Sequence, residues 1–447
     1  MKSTIFKGGI HPYDGKELSE NKPVQVLPPK GELVFPLSQH IGAQASPLVA
    51  AGDQVLVGQK IGEAEGFISA NVISSVSGTV KTVEPRLTVS GTKVLSIIIE
   101  NDGKYQAVEG FGVQRDPKTL SKEEIRSIIK EAGIVGLGGA GFPTHVKLSP
   151  KEDSKIDTII VNGAECEPYL TADYRLMMEE PESLVAGLNI ILQLFENAKG
   201  VIAIEDNKLE AIKRLTDLVK DEPRITVSSL KTKYPQGSER HLLYGVTGRK
   251  INSSMLPADV GCVVDNVDTV ISIYNAVAKS TPLIRRILTV TGDAIADPQN
   301  YNVKTGTNYS ELIEAVGGFK AEPEKVISGG PMMGQALFDL NVPVTKTSSS
   351  LLCFERDEVA EVPTSACIRC GRCVNVCPGR VVPQMLIKTA ERSDIEGFVK
   401  LEGMECCECG CCSHVCPAKL PLTQSFKEMR KQVMAERRKA QEGKKHE

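Results

Sequence analysis

CIRCGRCVNVCP (residues 367–378) and CCECGCCSHVCP (residues 406–417) are two copies of one pattern, Cys-x2-Cys-x2-Cys-x3-Cys-Pro, set 39 residues apart. Three thiols at x2 spacing fit one tight loop and can wrap three irons of a cubane, with backbone N–H groups free to point at the sulfurs. The fourth Cys, followed by Pro, is carried away from its own loop toward the neighbouring cluster. On this reading Cys367, Cys370, Cys373 and Cys416 hold one [4Fe-4S] cluster, and Cys406, Cys409, Cys412 and Cys377 hold the other. Spacing alone leaves that crossover open. Cys407 and Cys411 fall outside the register and are expected to be spectators. Zinc ribbons, the competing use of such residues, need two separated Cys-x2-Cys knuckles rather than four Cys in one run. Ten of the thirteen cysteines lie between Cys367 and Cys416. The opening MKSTIFKGGIHPYDG lacks the apolar run of a secretion signal, so reduced, metal-binding thiols are expected rather than disulfides. The spacer between the motifs has a helical pattern over about 383–402, which favours an α-helical ferredoxin domain.

Upstream, GLGGAGFPT (residues 136–144) contains G-x-G-x-x-G, but it follows a helical pattern and runs into Phe-Pro-Thr. A Rossmann fingerprint would instead follow a strand and open a helix. Such a loop exposes backbone N–H groups, a cradle for a phosphate or a flat ring. NGAECEP (residues 162–168) follows it. Glu165 and Glu167 before a Pro would ordinarily be a solvated turn; their register with Asn162 and the glycine loop gives them a functional reading. Five of the six histidines, His11, His40, His145, His241 and His414, show no metal spacing and are expected on the surface or in packing.

GLGGAGFPTHVK, ending at Lys147, with the downstream NGAECEP resembles the flavoprotein subunit of respiratory NADH dehydrogenase. The doubled cluster motif, the GGPMMG run at 329–334 and a barrel-sandwich-like start are closer to the RnfC family, the C subunits of Rnf electron-transport complexes, over nearly the whole chain. The resemblance implies two [4Fe-4S] clusters, FMN and NAD(H). Gly136, Gly138, Gly139 and Gly141 would line FMN, with Lys147 near its phosphate or ring and Asn162 on the isoalloxazine. Glu165 and Glu167 would face the nicotinamide, and Phe142 the adenine. Tyr234, Gly237 and Glu239 match the family's second glycine segment, and Asn266 and Thr269 a later FMN segment. Four positions depart from the respiratory pattern: Leu137 replaces Arg, Ala164 replaces Asp, Ser238 replaces Glu and Asp265 replaces Asn. No side-chain acid or base is required for hydride transfer, and no catalytic residue is assigned.

The implied function is an electron-transfer subunit of a ferredoxin:NAD+ oxidoreductase that pumps ions. It would be peripheral on the cytoplasmic side of the cell membrane, with the other members of the complex and NADH as partners and ferredoxin reached through one of them. The NADH-flavoprotein arm of a soluble hydrogenase or formate dehydrogenase, and a non-catalytic ferredoxin-like adaptor, are the other readings open at this point.

Composition agrees with a soluble multidomain chain. The 447 residues carry 53 basic and 56 acidic side chains, 41% hydrophobic residues, 4% aromatics and no Trp. There is neither the charge bias nor the aromatic surface expected of a nucleic-acid binder. The layout expected is multidomain α/β and α+β. A barrel-sandwich β domain spans 1–110, a central α/β FMN/NADH domain 115–285, a β-grasp-like module 286–350, the ferredoxin domain 360–425 and a basic helical tail 426–447. The first of these resembles biotinyl and lipoyl domains, yet no Lys lies between Lys60 and Lys81 for a swinging arm, so a docking or packing role is expected.

Overall fold

A computed structural model describes residues 4–443, with side chains through residue 440. The first three residues and the last four of the expected tail lie outside the described residues.

The barrel sandwich is built from two antiparallel sheets. One orders Glu32–Pro36, Lys93–Asn101, Gly78–Leu87 and Gln54–Val55; the other orders Ser46–Pro47, Lys60–Glu63 and Val72–Ile73. Alternation puts Leu33, Phe35, Ile61, Val80, Ile97 and Ile99 into the space between them. The packed sandwich begins at Glu32, and the residues before it do other work. Gln25–Leu27 joins the sheet of the later β module, pairing in parallel with Gln299–Lys304. Further upstream, Gly9 N donates to Val376 O (2.8 Å), while Ile10 N donates to Tyr234 O (2.9 Å). The leading segment is therefore a strap across three modules.

The central module has a four-stranded parallel sheet, ordered Ile225–Leu230, Lys199–Glu205, Thr158–Gly163 and Cys262–Asn266. The strands Lys199–Glu205, Thr158–Gly163 and Cys262–Asn266 are buried on both faces, as in a parallel sheet covered by helices, while Ile225–Leu230 is a polar edge. Ile159 and Val161 point into one core while Ile160 points into the other. The helix Lys122–Glu131 starts at a capping box. Glu124 N donates to Ser121 Oγ (3.2 Å) and Ser121 N donates to the Glu124 carboxylate (2.8 Å). Pro181–Leu194 packs so closely on Val267–Lys279 that a Cβ at Gly187 would lie 2.2 Å from Val270 O. Only Gly allows that crossing.

The next module is a six-stranded mixed sheet ordered Gln25–Leu27, Gln299–Lys304, Arg285–Thr291, Ser350–Phe354, Lys325–Ser328 and Gln335–Ala336. One helix, Tyr309–Ala315, packs on it. The cysteine-rich module is helical, with Pro383–Glu391 and Ile395–Lys400 in the spacer between the motifs. Its boundary with the tail differs from expectation. A single helix runs Leu422–Gly443, and Phe426, Met429 and Val433 are buried against Leu386, Ile387 and Phe398. Those three sit at i, i+3 and i+7, one face of a helix, so the helix is a wall of the ferredoxin domain through Val433 rather than a separate tail from Phe426. Among the described residues no helix is long and apolar enough to cross a membrane.

Candidate functional site

The chain enters the parallel sheet at Thr158–Gly163, builds outward to one side, then returns to place Cys262–Asn266 on the other. The crevice at the carboxyl ends of these two strands is the topological switch point, where open α/β sheets bind ligands. Asn162 and Asn266 face each other there in register. The glycine loop lies over the crevice. A Cβ at Gly138 would be 2.9 Å from Asn266 Cβ, Gly141 has φ +73°, and a Cβ at Gly139 would meet nothing within 4 Å. The loop is closed by Gly136 N donating to Phe142 O (2.9 Å) and tethered by Leu137 N donating to Thr269 Oγ1 (2.9 Å). Two helices, Glu239–Thr247 and Val267–Lys279, start at this end of the sheet and turn their positive N-termini toward it.

The expected contacts divide into those left open and those absorbed by the fold. Asn162 Nδ2 donates to Gly237 O (2.9 Å). A Cβ at Gly237 would sit 3.2 Å from Cys166 Sγ, so this glycine permits a close approach of backbone to side chain. Asn266 caps the helix it precedes, accepting from Asp268 N (2.9 Å), and donates to Asp173 Oδ2 (2.7 Å). Asn266 and Thr269 thus brace the floor and the loop. Lys147 Nζ donates to Val264 O (2.9 Å) and stands 3.6 Å from Glu239 Oε1. Glu165, at φ +44°, accepts from Asp173 N (2.6 Å) and Tyr174 N (3.2 Å), capping the helix Ala172–Glu179; burial raises its pKa. Glu167 accepts from Met332 N (3.2 Å), and its Oε1 lies 3.2 Å from the Tyr234 hydroxyl oxygen, whose one proton goes to Cys409 O (2.8 Å); burial pushes the Glu167 carboxyl up to about 7. Phe142 is half-buried beside the loop.

Sequence reasoning missed three participants. Lys16, from the strap, donates to Glu167 O (3.0 Å) and to Leu170 O. Gly330 passes so near Glu167 that a Cβ there would lie 2.1 Å from its carboxylate. Asp265 is fully buried, and neither carboxylate oxygen has a hydrogen-bond partner among the described residues. The run GGPMMG was a visible signal for Gly330. Asp265 showed only as a departure from pattern, and Lys16 had no signal.

Burial pushes Asp265 to about 6, partly opposed by Lys147. The folded chain therefore holds this proton over roughly pH 4–6 while the unfolded chain has lost it. Stability from this group is present below pH 4 and falls as pH rises through 6. Asp265→Asn in the cofactor-free chain should remove that fall and be more stable above pH 6, by about 2–3 kcal/mol at most. Urea melts of both chains at pH 4 and pH 8 check it; a variant less stable at pH 8 would refute the orphaned carboxylate.

The cysteines form two separate cavities. Cys367, Cys370, Cys373 and Cys416 line one; Cys377, Cys406, Cys409 and Cys412 line the other, together with Cys407. Cys411 is buried beside Ile10 and Tyr234. All thirteen cysteines are free thiols. Among the described residues no three His, Cys, Asp or Glu side chains converge on a single-ion position; the thiols ring a void instead, which suits four corners of a cubane better than one zinc. Burial pushes Cys406 and Cys412 to about 12 and raises Cys377. Thiolates in so dry a pocket need a positive partner, which the irons of a cluster provide. The cavities differ in setting. Cys367 and Cys370 are exposed, whereas Cys377, Cys409 and Cys412 are buried. The buried cavity abuts the crevice wall: the Tyr234 hydroxyl donates to Cys409 O (2.8 Å), and Arg240 pairs with Glu405 (2.8 Å).

Comparison with known proteins places these features. Residues 4–104 match the RnfC barrel sandwich hybrid domain, 129–275 the Nuo51 FMN-binding domain, 287–336 the SLBB domain and 360–382 a 4Fe-4S binding domain. The C subunit of the Na(+)-translocating ferredoxin:NAD(+) oxidoreductase complex of Acetobacterium woodii is 43% identical over 98% of this chain and 99% of its own. The chain belongs to the RnfC family, the C subunits of ion-translocating ferredoxin:NAD+ oxidoreductases. The RnfC relative from the proton-translocating complex of Clostridium ljungdahlii is 47% identical over 85% of this chain and 83% of its own. That of the ion-translocating oxidoreductase complex of Rhodobacter capsulatus is 42% identical over 95% and 82%. In the fold alone, this RnfC family member is similar to an NAD+-reducing [NiFe]-hydrogenase structure in the air-oxidized state. The TM-score is 0.50 at 20% identity, covering 65% of this chain and 55% of that one. The multidomain layout of sandwich, FMN-binding, SLBB and cluster modules is that of the family.

Proposed function

We propose that the chain carries electrons between NAD(H), FMN and two [4Fe-4S] clusters as the RnfC component of an ion-pumping ferredoxin:NAD+ oxidoreductase, attached peripherally on the cytoplasmic side of the membrane. The observation that carries this reading is the join between a switch-point crevice under a glycine loop and a buried ring of thiols, through Tyr234 and Cys409 O (2.8 Å). FMN held there would supply the exchange between the two-electron chemistry of NADH and the one-electron chemistry of the clusters. The protein's part is positioning. Gly136, Gly138, Gly139 and Gly141 form the cradle, Lys147 and the two helix N-termini meet negative charge, and Asn162 fixes the ring edge. Glu167, Tyr234 and the Gly330 turn enclose the nicotinamide side, while Glu165 caps the helix Ala172–Glu179. Phe142 offers a face to the adenine.

The two thiol cavities differ in what they adjoin: a cluster held by Cys377, Cys406, Cys409 and Cys412 would be the one nearer the crevice, and one held by Cys367, Cys370, Cys373 and Cys416 would be the outer one. Cys370→Ser should therefore lose the exposed cluster alone, with NADH still reducing FMN and the remaining cluster. Iron analysis and the EPR spectrum of the NADH-reduced, anaerobically purified chain test this. A parent chain lacking FMN would undo the flavin reading, and a variant whose remaining cluster ignores NADH would undo the order.

A further inference from the structure

One charged side chain at the switch point is used neither by the fold nor by the expected contacts. Asp265 lies one residue before the end of Cys262–Asn266, paired in register with Val161. Its side chain is fully buried and both carboxylate oxygens lack hydrogen-bond partners among the described residues. The nearest cation, Lys147 Nζ, is 3.8 Å from Oδ1, beyond hydrogen-bond reach, and gives its own hydrogen bond to Val264 O. Glu239 pairs with the same ammonium. A buried carboxylate without a partner calls for an explanation, and a redox role is one of the few that such groups have. By the resemblance, respiratory flavoproteins carry Asn here. Asn and Asp share a shape, so the difference is a charge.

We propose that Asp265, buried beside Lys147 near the end of the crevice-floor strand, offsets the Lys147 ammonium and holds down the two-electron potential of FMN bound in the crevice. The inference rests on the flavin reading above. Reduction of a flavin by the hydride of NADH adds negative charge until a proton follows. A fixed carboxylate nearby disfavours the reduced form, and a lone ammonium favours it. With both present the charges balance; with Asn in place of Asp the positive charge of the ammonium is no longer offset from this side. A lower flavin potential shortens the step to clusters whose own potentials extend far below zero.

The test is Asp265→Asn in the full chain, purified anaerobically and loaded with FMN. Asn preserves the shape, so FMN content should equal the parent's. Redox titration of the flavin absorbance should show at least a tenfold rise in the reduced-to-oxidised ratio at a fixed NADH:NAD+ ratio, about 30 mV for a two-electron couple. A merely structural role would alter stability and leave the midpoint in place. An unchanged midpoint with full FMN occupancy overturns the proposal, as does loss of FMN from the variant. A parent chain that binds no FMN removes the reading beneath it instead, so the two failures are distinct.

Discussion

Gly139→Val is expected to yield a folded chain with both clusters and almost no FMN. The choice among the loop glycines follows from what each would meet. At Gly138 a Cβ would press on the Asn266 side chain at 2.9 Å, and at Gly141 a side chain would meet Thr347 Cγ2 at 2.8 Å from a left-handed backbone, φ +73°. Substitution at either would disturb the loop itself. Gly139 has neither problem: its φ is not in the left-handed region, and nothing lies within 4 Å of an added Cβ. The open space is on the exposed side of the loop. Two methyl groups there would stand where the ligand must approach. The protein should lose little, since surface substitutions away from caps and cores usually stay within about 0.5 kcal/mol. FMN content is expected to fall below about a tenth of the parent's, a loss of more than about 1.4 kcal/mol in binding. Fluorescence of flavin released on denaturation measures it, and cluster EPR shows that the rest of the chain is intact. Full FMN retention would place the flavin elsewhere.

What could be read in the sequence depended on how local its cause was. The cluster motifs are local patterns, and the structure gathers their thiols around two cavities. The helix Val267–Lys279 was hidden because VDTVISIY is rich in β-branched residues, and only burial on several sides makes it helical. Ala172–Glu179 was hidden because its cap comes from Glu165, seven residues before the helix begins. The pairing of Gln25–Leu27 with Gln299–Lys304 has no sequence signal, since three residues cannot specify a partner so far along the chain. The tail boundary was misjudged for another reason: charge density drew the line at Phe426, while the apolar face at Phe426, Met429 and Val433 carries the helix into the core. At the crevice, the resemblance pointed to the glycines and Asn162, and the structure brings them to one end of the parallel sheet. That Asp265 would be buried without a partner could come only from three dimensions.

Cys377→Ser and Cys416→Ser should have opposite consequences, each the reverse of what chain order suggests. Cys377 ends the first motif, yet its thiol lines the cavity of Cys406, Cys409 and Cys412; Cys416 ends the second and lines that of Cys367, Cys370 and Cys373. Each substitution should reduce iron from about eight per chain to about four. The survivor distinguishes them. In Cys416→Ser the remaining cluster is the buried one, against Tyr234 and the crevice, and NADH should still reduce it. In Cys377→Ser the remaining cluster is the exposed one, cut off from the crevice, so it should respond to dithionite and stay silent to NADH. Cys407 lines the same cavity as Cys377 and is a spare thiol for the vacated corner, so the Cys377→Ser/Cys407→Ser double variant closes that escape. If a cluster persists in the single variant and disappears in the double, Cys407 is the reserve ligand and the crossover stands. The opposite pattern, with NADH reducing the survivor in the Cys377 variants and not in Cys416→Ser, would mean that each motif holds its own cluster. The electron path through the buried loop of Cys406, Cys409 and Cys412 would stand even so, because the cluster that survives Cys377→Ser and answers NADH would be the one on that loop, against Tyr234.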